Sequence, residues 1–128
     1  MILDSSAIVA ILLEEQEIGS LLTKMNRASY RAVSGPILVE SALVLTGRLK
    51  GDATAVLSEF LQEFEVSLVP FGDAQWREAA NAFKLFGKGR HPAGLNLGDC
   101  MAYATAKIAG LPLLFIGNDF PKTDLDLA

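Results

Sequence analysis

Four carboxylates that stand alone in apolar stretches constrain this 128-residue chain more than any other feature. Asp4 follows three apolar residues at the start of the chain, and the other three are Glu40, Asp99 and Asp119. An ionised carboxylate among apolar groups is costly unless it is paired or binds a cation. No Lys or Arg lies close in sequence to Asp4, Glu40 or Asp99. If the four converge in space, a divalent metal ion is the simplest neutralising partner.

Length and composition predict a single domain over residues 1–128. The chain is 51% hydrophobic and 20% charged, so it is more apolar than an average soluble domain. This excess indicates a sheet buried on both faces, a hydrophobic interface between copies of the chain, or both. The net charge of -4 argues against a basic surface that coats nucleic acid, but not against an enzyme that acts on it.

Three further features predict a cytoplasmic protein with no membrane association. The longest apolar run, residues 7–13, is too short to cross a bilayer of about 30 Å. Asp4 stands where an export signal would have Lys or Arg. Cys100 is the only cysteine, so no internal disulfide can form, which fits a reducing compartment.

Hydrophobic periodicity and turn residues predict strands that alternate with helices. Strands are expected at residues 1–3, 30–33, 66–71 and 113–116, and helices at 7–15, 16–27, 35–49, 53–64, 73–86 and 96–109. The alternation implies an α/β fold, with a mostly parallel central sheet flanked by helices on both sides. Ser5 or Ser6 is expected to cap the first helix. Three later helices have expected caps at Ser34, Asp52 and Asp73.

The four carboxylates occupy corresponding positions in this predicted architecture. In a parallel α/β sheet, ligands bind beyond the carboxyl ends of the strands. Asp4 and Asp119 each follow a strand, Asp99 opens the helix that leads into the last strand, and Glu40 lies one turn into a helix that follows a strand. All four can therefore face one end of the sheet. Such oxygen ligands suit Mg²⁺ or Mn²⁺, and the chain offers no His/Cys set for zinc.

Several of these residues also have ordinary structural interpretations. Asp4 itself is placed to cap the first helix, although the two serines after it are also available for that role. Asp99 lies three residues after Asn96, the spacing of a capping box, and Asp119 lies in a turn-forming sequence. Ser6 either caps the first helix or orients Asp4 through a hydrogen bond. Asn118 is either a turn residue or a contact to a water on the metal.

Four other positions are open between two roles. Asp124, in the polar tail, is either solvated or an additional ligand. Lys88 and Arg90 lie in the loop at residues 87–94 and form, with Lys84, the only concentrated positive charge. This loop either contacts the phosphates of a nucleic acid or is a solvated connector. Trp76 is expected to pack, either in the core or at an interface.

As a set, the motifs resemble a PIN domain, and more narrowly the VapC-type toxins of bacterial type II toxin–antitoxin modules. They are the opening sequence at residues 1–7, the isolated Glu40, the Leu-Gly-Asp-Cys sequence at 97–100 and the Gly-Asn-Asp-Phe sequence at 117–120. The stretch at 89–100 is typical of one VapC subgroup. The resemblance covers essentially the whole chain in order and spacing.

By this resemblance, Asp4, Glu40 and Asp99 match the three core acidic positions of the family, Asp119 matches a fourth and more variable one, and Ser6 matches a Ser/Thr position. The family often has a second acidic residue where this chain has Asn118. The tail after residue 119 is short, so the last strand of the family is expected to be truncated or formed by few residues.

The resemblance implies a Mg²⁺- or Mn²⁺-dependent endoribonuclease that acts as the toxin of a toxin–antitoxin pair. It also implies a homodimer, a VapB-type antitoxin that blocks the site, and structured RNA, either tRNA or ribosomal RNA, as substrate. Two alternatives remain open. The first is an α/β phosphatase with Asp4 as nucleophile, a class that has a second Asp two residues after the nucleophile, where this chain has Ser6. A catalytically inactive PIN-fold binding module would have no need of all four carboxylates.

Overall fold

The computed structural model describes residues 1–16 and 18–128. Within this part of the chain, four strands form one parallel sheet in the order β3-β2-β1-β4. The strands are β1 (Ile2–Leu3), β2 (Arg31–Ser34), β3 (Val66–Val69) and β4 (Leu113–Leu114). The helices are α1 (Ser5–Leu12), α2 (Ile18–Arg27), α3 (Gly35–Arg48), α4 (Ala53–Glu63), α5 (Asp73–Phe86) and α6 (Leu97–Ala109), followed by a 3₁₀ turn at Phe120–Lys122. The predicted α/β class with a parallel sheet is confirmed.

The short strand β1 is wholly apolar and buried, and it is paired on both sides within the sheet. Ile2 pairs with Ala32 on one side and with Leu113 on the other, and all three are buried. The pairing continues one residue past β1, where the Asp4 amide donates to the Leu114 carbonyl at 2.9 Å. The carboxyl ends of β1 and β4 therefore lie side by side. Asp4 is the first residue beyond this end of the sheet.

Two of the predicted helix caps are wrong. Asp4, rather than Ser5 or Ser6, caps α1, because only Asp4 lies between the end of β1 and the start of the helix. Gly72, rather than Asp73, occupies the cap position of α5, and Asp73 is the first residue of that helix. The predicted start of the second helix at residue 16 is early, since α2 begins at Ile18, and Glu17 lies outside the described residues.

The other two caps fall where they were predicted. The Asp52 side chain accepts a hydrogen bond from the Thr54 amide at 2.9 Å and caps α4. Ser34 occupies the cap position of α3, with Pro36 in the first turn, but its side chain makes no capping hydrogen bond. Its hydroxyl oxygen is buried and has no partner among the described residues.

The polar tail is not simply solvated, because it folds back along β4. The Leu113 amide donates to the Asp126 carbonyl at 3.1 Å, and the Ala128 amide donates to the Leu113 carbonyl at 2.9 Å. Leu127 thus makes a single parallel bridge to the open side of β4. The expected last strand is present, but only as this bridge.

Asp124 fixes this tail to α6. Its carboxylate accepts from the buried Tyr103 hydroxyl at 2.6 Å and from the Lys107 ammonium at 2.9 Å. Burial of the ring, followed by this hydrogen bond and the charge of Asp124, raises the pKa of the Tyr103 hydroxyl. The hydroxyl therefore stays protonated as a donor.

Among the described residues, no helix is both long and apolar enough to span a bilayer.

Replacing Asp124 with Ala should lower the free energy of unfolding by about 1–2 kcal/mol, because the Tyr103 hydroxyl loses its acceptor and stays partly buried. Urea denaturation followed by circular dichroism measures this. Asp126→Ala, which removes an exposed carboxylate from the same tail, is the matched control and should change stability little. Equal stability of the two variants would show that the Asp124 contacts do not hold the tail.

Candidate active site

Asp4 lies at the end of β1 and is only 3% exposed. Its Oδ2 accepts from the Ser6 amide at 3.2 Å and from the Ser6 hydroxyl at 2.6 Å, and the same hydroxyl accepts from the Ile116 amide at 3.0 Å. Its Oδ1 is buried and has no hydrogen-bond partner among the described residues. Burial raises the pKa of Asp4, the Ser6 hydrogen bonds oppose this rise, and the charge of Glu40 adds to it. One oxygen of Asp4 is therefore anchored and the other is left without a donor.

Glu40 lies in the second turn of α3 and is half-buried. The Ser5 hydroxyl, from the start of α1, donates to its Oε1. Its carboxyl group also lies against Gly98 in the first turn of α6, with so little space that a Cβ on residue 98 would overlap Oε2. The first turns of α1 and α6 thus meet α3 at this side chain.

Asp99 is the third residue of α6 and forms a capping box with Asn96. The Asp99 amide donates to Asn96 Oδ1 at 2.9 Å, and the Asn96 amide donates to Asp99 Oδ2 at 3.1 Å. The pKa of Asp99 is nevertheless raised to about 6, chiefly by burial and then by the negative charges of Asp4, Asp119 and Glu40. The capping role is real, and it coexists with a position among the other carboxylates.

Asp119 is exposed and precedes the 3₁₀ turn. Its charge raises the pKa of Asp99, so it lies near enough to Asp99 for the two charges to interact. The four carboxylates predicted from sequence are therefore near enough to act on one another electrostatically. As they stand, however, no group of three or more His, Cys, Asp or Glu side chains among the described residues is close enough to hold a metal ion.

The residues at this end of the sheet fit a divalent cation in their chemistry. Asp4 has a buried oxygen with no donor, and the carboxyl groups repel each other's charge. The ion pairs within residues 1–16 and 18–128 join Arg77 to Asp73 and Lys107 to Asp124, so they neutralise none of the four. An all-oxygen donor set suits Mg²⁺ or Mn²⁺ rather than zinc. A cation bound here would relieve both the repulsion and the missing hydrogen bond.

The secondary candidates separate into those near the carboxylates and those elsewhere. Ser6 orients Asp4, as one of its two interpretations required. Asn118 is exposed beside Asp119. Asp124 is committed to Tyr103 and Lys107, so the interpretation of it as an additional ligand loses its support.

The loop at residues 87–95 is structured rather than loose. The Lys88 amide donates to the Leu95 carbonyl at 3.0 Å, and the Leu95 amide donates to the Phe86 carbonyl at 2.9 Å. Lys88 and Arg90 are exposed on it, and the Arg90 guanidinium lies 5.7 Å from the centre of the Phe83 ring. The loop thus presents two cations at the protein surface.

Trp76 does not pack in the core, since it is 51% exposed. It lines an apolar groove of about 440 Å³ together with Phe83, Leu97 and Met101. Leu97 is 75% exposed and lies two residues before Asp99, so the groove runs along α5 and α6 close to the carboxylates.

Sequence reasoning missed two residues that contact Glu40. Ser5 was assigned a role only as a helix cap, and Gly98 entered only as part of the motif at residues 97–100, with no role of its own. One signal was available, because glycine is unfavourable inside a helix and Gly98 directly precedes an acidic residue in a predicted first turn. The partner of that glycine could not be identified, since residues 40 and 98 meet only in the folded chain.

Comparison with known proteins gives a consistent result over the whole chain. The family model of the PIN domain matches residues 1–125. Ribonuclease VapC36 of Mycobacterium tuberculosis is 39% identical over 127 residues, which cover 98% of this chain and 91% of that protein. Ribonuclease VapC of Mycolicibacterium smegmatis is 39% identical over 125 residues, which cover 98% and 97%.

Two solved structures share the fold. Mycobacterium tuberculosis VapC20, described as a Sarcin-Ricin loop cleaving toxin, superposes with a TM-score of 0.79 at 14% identity and covers 99% of this chain and 97% of that one. A toxin–antitoxin complex from Klebsiella pneumoniae gives a TM-score of 0.72 at 12% identity, with 99% and 95% covered. At these identities the likeness concerns the fold.

Replacing Asp99 with Asn should stabilise the metal-free protein at pH 7.5 but not at pH 4. The folded pKa of Asp99 is about 6, above its ordinary value, so its stabilising effect is complete at low pH and is lost as the pH rises through about 6. Asn carries no charge at either pH and can still accept the capping hydrogen bond. After allowance for solvent screening, the gain should be about 1 kcal/mol.

Chemical denaturation in EDTA at the two pH values measures this difference. Asp126→Asn, at an exposed carboxylate of the tail, serves as the matched control. A gain for Asp99→Asn that is the same at pH 4 and pH 7.5 would mean that carboxylate repulsion is not its source.

Proposed function

Since the chain belongs to the PIN-domain family and, within it, to the VapC ribonucleases, we propose that Asp4, Glu40, Asp99 and Asp119 hold a divalent cation, Mg²⁺ or Mn²⁺, where this endoribonuclease cleaves RNA. The observation that carries the proposal is the way in which the carboxylates of Asp4, Glu40 and Asp99 are anchored. Each has one oxygen fixed by hydrogen bonds, to Ser6, Ser5 and Asn96 respectively. The described residues supply no donor to the other oxygen of each.

This anchoring suits a metal site because it fixes each side chain without using all of its oxygens. The free Oδ1 of Asp4 is the most deeply buried and is assigned as the central ligand. Asp119 is exposed and is assigned to the outer side of the site, where it faces solvent and substrate. A cation held by these residues would supply the positive charge that lowers the pKa of a bound water and offsets charge on the scissile phosphate and the leaving oxygen.

The residues around the cation have separable tasks in this proposal. Ser6 keeps Asp4 oriented and ties it to the chain after β4 through the Ile116 amide. The exposed cations Lys88 and Arg90 draw the RNA backbone towards an otherwise acidic end of the sheet. Because the chain belongs to a ribonuclease family, the phosphatase alternative is set aside. The cleavage test below distinguishes an active enzyme from an inactive binding module.

The partners follow from the same assignment. The Klebsiella pneumoniae neighbour is a toxin–antitoxin complex, which supports a VapB-type antitoxin for this chain. Because the site is rich in carboxylates, such an inhibitor should present an Arg or Lys to them in place of the metal. The substrate is assigned as structured RNA, either tRNA or ribosomal RNA. Mapping of RNA 5′ ends after induction of the chain in cells would identify the cleaved bond.

The chain is also proposed to form a homodimer. Apolar side chains remain exposed on α3, with Leu43 70% and Val39 60% exposed, and burial of such surface favours association. Light scattering at micromolar concentration should give twice the 13.7 kDa mass of one chain. A strictly monomeric mass would overturn this part of the proposal.

Replacing Asp4 with Asn should reduce RNA cleavage by at least about 100-fold, because a ligand charge is lost while the shape is kept. The Asn side chain can still accept from Ser6, so the fold should remain intact. Cleavage of a structured RNA in Mg²⁺ or Mn²⁺ is the measurement, with circular dichroism as a check on folding.

Asp52→Asn provides the matched control for this variant. Asp52 caps α4 through the Thr54 amide, much as Asp4 caps α1, but it is not among the four carboxylates. Its cleavage rate should equal that of the parent chain. Full activity of a well-purified Asp4→Asn sample would remove Asp4 from the site.

Replacing both Lys88 and Arg90 with Ala should weaken RNA binding and reduce its dependence on salt, because two phosphate contacts are lost. The slope of log K against log salt concentration should fall by about 0.7 for each lost contact. Metal binding should change little, since the carboxylates are untouched. Arg48 and Lys50, two exposed cations at the end of α3 and outside the loop, are replaced with Ala as the control. Parental binding across a range of salt would make the loop a solvated connector only.

A further inference from the structure

Two residues outside the carboxylate set fix the position of Glu40. The Ser5 hydroxyl donates to Oε1. The backbone of Gly98 lies directly against the carboxyl group, since a Cβ built on residue 98 would overlap Oε2 and stand 2.7 Å from Cδ and 2.8 Å from Oε1. Real Cβ atoms do not approach a neighbour so closely, so the Glu40 carboxyl group occupies the space of a side chain at position 98.

The backbone of α6 does not itself require glycine at this position. Gly98 is the second residue of the helix, and it is not one of the glycines with a positive φ. Alanine is the better residue inside a helix, so the reason for glycine lies in the carboxyl group that rests on it. The first turn of a helix also carries partial positive charge, which favours an acidic group in this place.

We propose that Ser5 and Gly98 form a seat for the Glu40 carboxyl group and thereby set the affinity of the site for its divalent cation. Both are positioning residues, since Ser5 acts by holding one oxygen of Glu40 and Gly98 acts by leaving room for the other. The effect on the cation rests on the proposed function, whereas the seat itself is a property of the metal-free chain. The two parts are tested separately.

The metal-free test compares Gly98→Ala with Gly47→Ala. Gly47 is an exposed helical glycine in α3 whose added Cβ would meet nothing within 4 Å. In EDTA, Gly47→Ala should raise the melting temperature by about 2–5 °C, the ordinary gain from alanine in a helix. Gly98→Ala should give a clearly smaller gain or none, because the new methyl group has to displace the Glu40 carboxyl group and break its hydrogen bond from Ser5.

The same two substitutions are then made in a Glu40→Ala background. With the carboxyl group removed, Gly98→Ala should now raise the melting temperature as Gly47→Ala does. A Gly98→Ala gain of the same size in both backgrounds would overturn the seat, because it would show that residues 40 and 98 do not compete for space.

The second test measures binding of Mn²⁺ alone, without RNA, from the electron paramagnetic resonance signal of the free ion. Gly98→Ala should weaken binding at least about 10-fold, and Gly47→Ala should leave it unchanged. Ser5→Ala should weaken binding several-fold, whereas Ser5→Thr, which keeps a hydroxyl, should restore it. Thr46→Ala is the matched control for Ser5, since the Thr46 hydroxyl only donates to the Ala42 carbonyl within α3.

These outcomes distinguish the inference from the proposed function. Parental Mn²⁺ affinity in both Gly98→Ala and Ser5→Ala would overturn the control of affinity while leaving the metal site standing. A parent chain that binds no Mn²⁺ would overturn the proposed function and the control of affinity together. The melting temperatures in EDTA would still decide whether Glu40 is seated on Gly98.

Discussion

Mutual repulsion among carboxylates at one end of a parallel sheet is the constraint on which the rest of this structure depends. Left to themselves, Asp4, Glu40 and Asp99 would turn away from one another and from the apolar core. The fold prevents this because the backbone that carries these residues is stabilised by strand pairing and by apolar packing away from the carboxylates. The pairing of β1 with β2 and β4 fixes the backbone position of Asp4. Glu40 and Asp99 lie on α3 and α6, which pack against that sheet. The energy of apolar burial is thus used to keep like charges together, which is how strain at a functional site is commonly maintained.

Much of this arrangement could be predicted from the sequence, because it depends on local patterns. The four strands and six helices follow from hydrophobic periodicity and turn residues, and their alternation fixes a parallel sheet. In a parallel sheet the carboxyl ends of strands share an edge, so the approach of the four acidic positions to one another was also predictable. The order of the elements sufficed for that prediction, and no detail of packing was needed.

The remainder could not be predicted, because it depends on contacts between residues far apart in the chain. Ser5 meets Glu40 across 35 residues, and Asp124 meets Tyr103 across 21. Asp124 illustrates the difficulty, since sequence alone could not separate a solvated or ligating carboxylate from one that anchors a tail. The shift of the α1 cap from Ser5 or Ser6 to Asp4 has a similar cause. The length of the connection between strand and helix decides which residue caps, and here that connection is Asp4 alone.

The capping and site interpretations of Asp4 and Asp99 were treated as alternatives, but a carboxylate has two oxygens. Asp4 uses Oδ2 for the first turn of α1, and Asp99 uses Oδ2 for the amide that precedes α6. In each case the hydrogen bond that stabilises a helix end also removes the rotational freedom of the side chain. A ligand held in this way loses less entropy when it binds an ion. In the proposed metal site, helix capping would therefore prepare Asp4 and Asp99 for the ion, and an acidic residue at a helix start beside a sheet edge is well suited to do both.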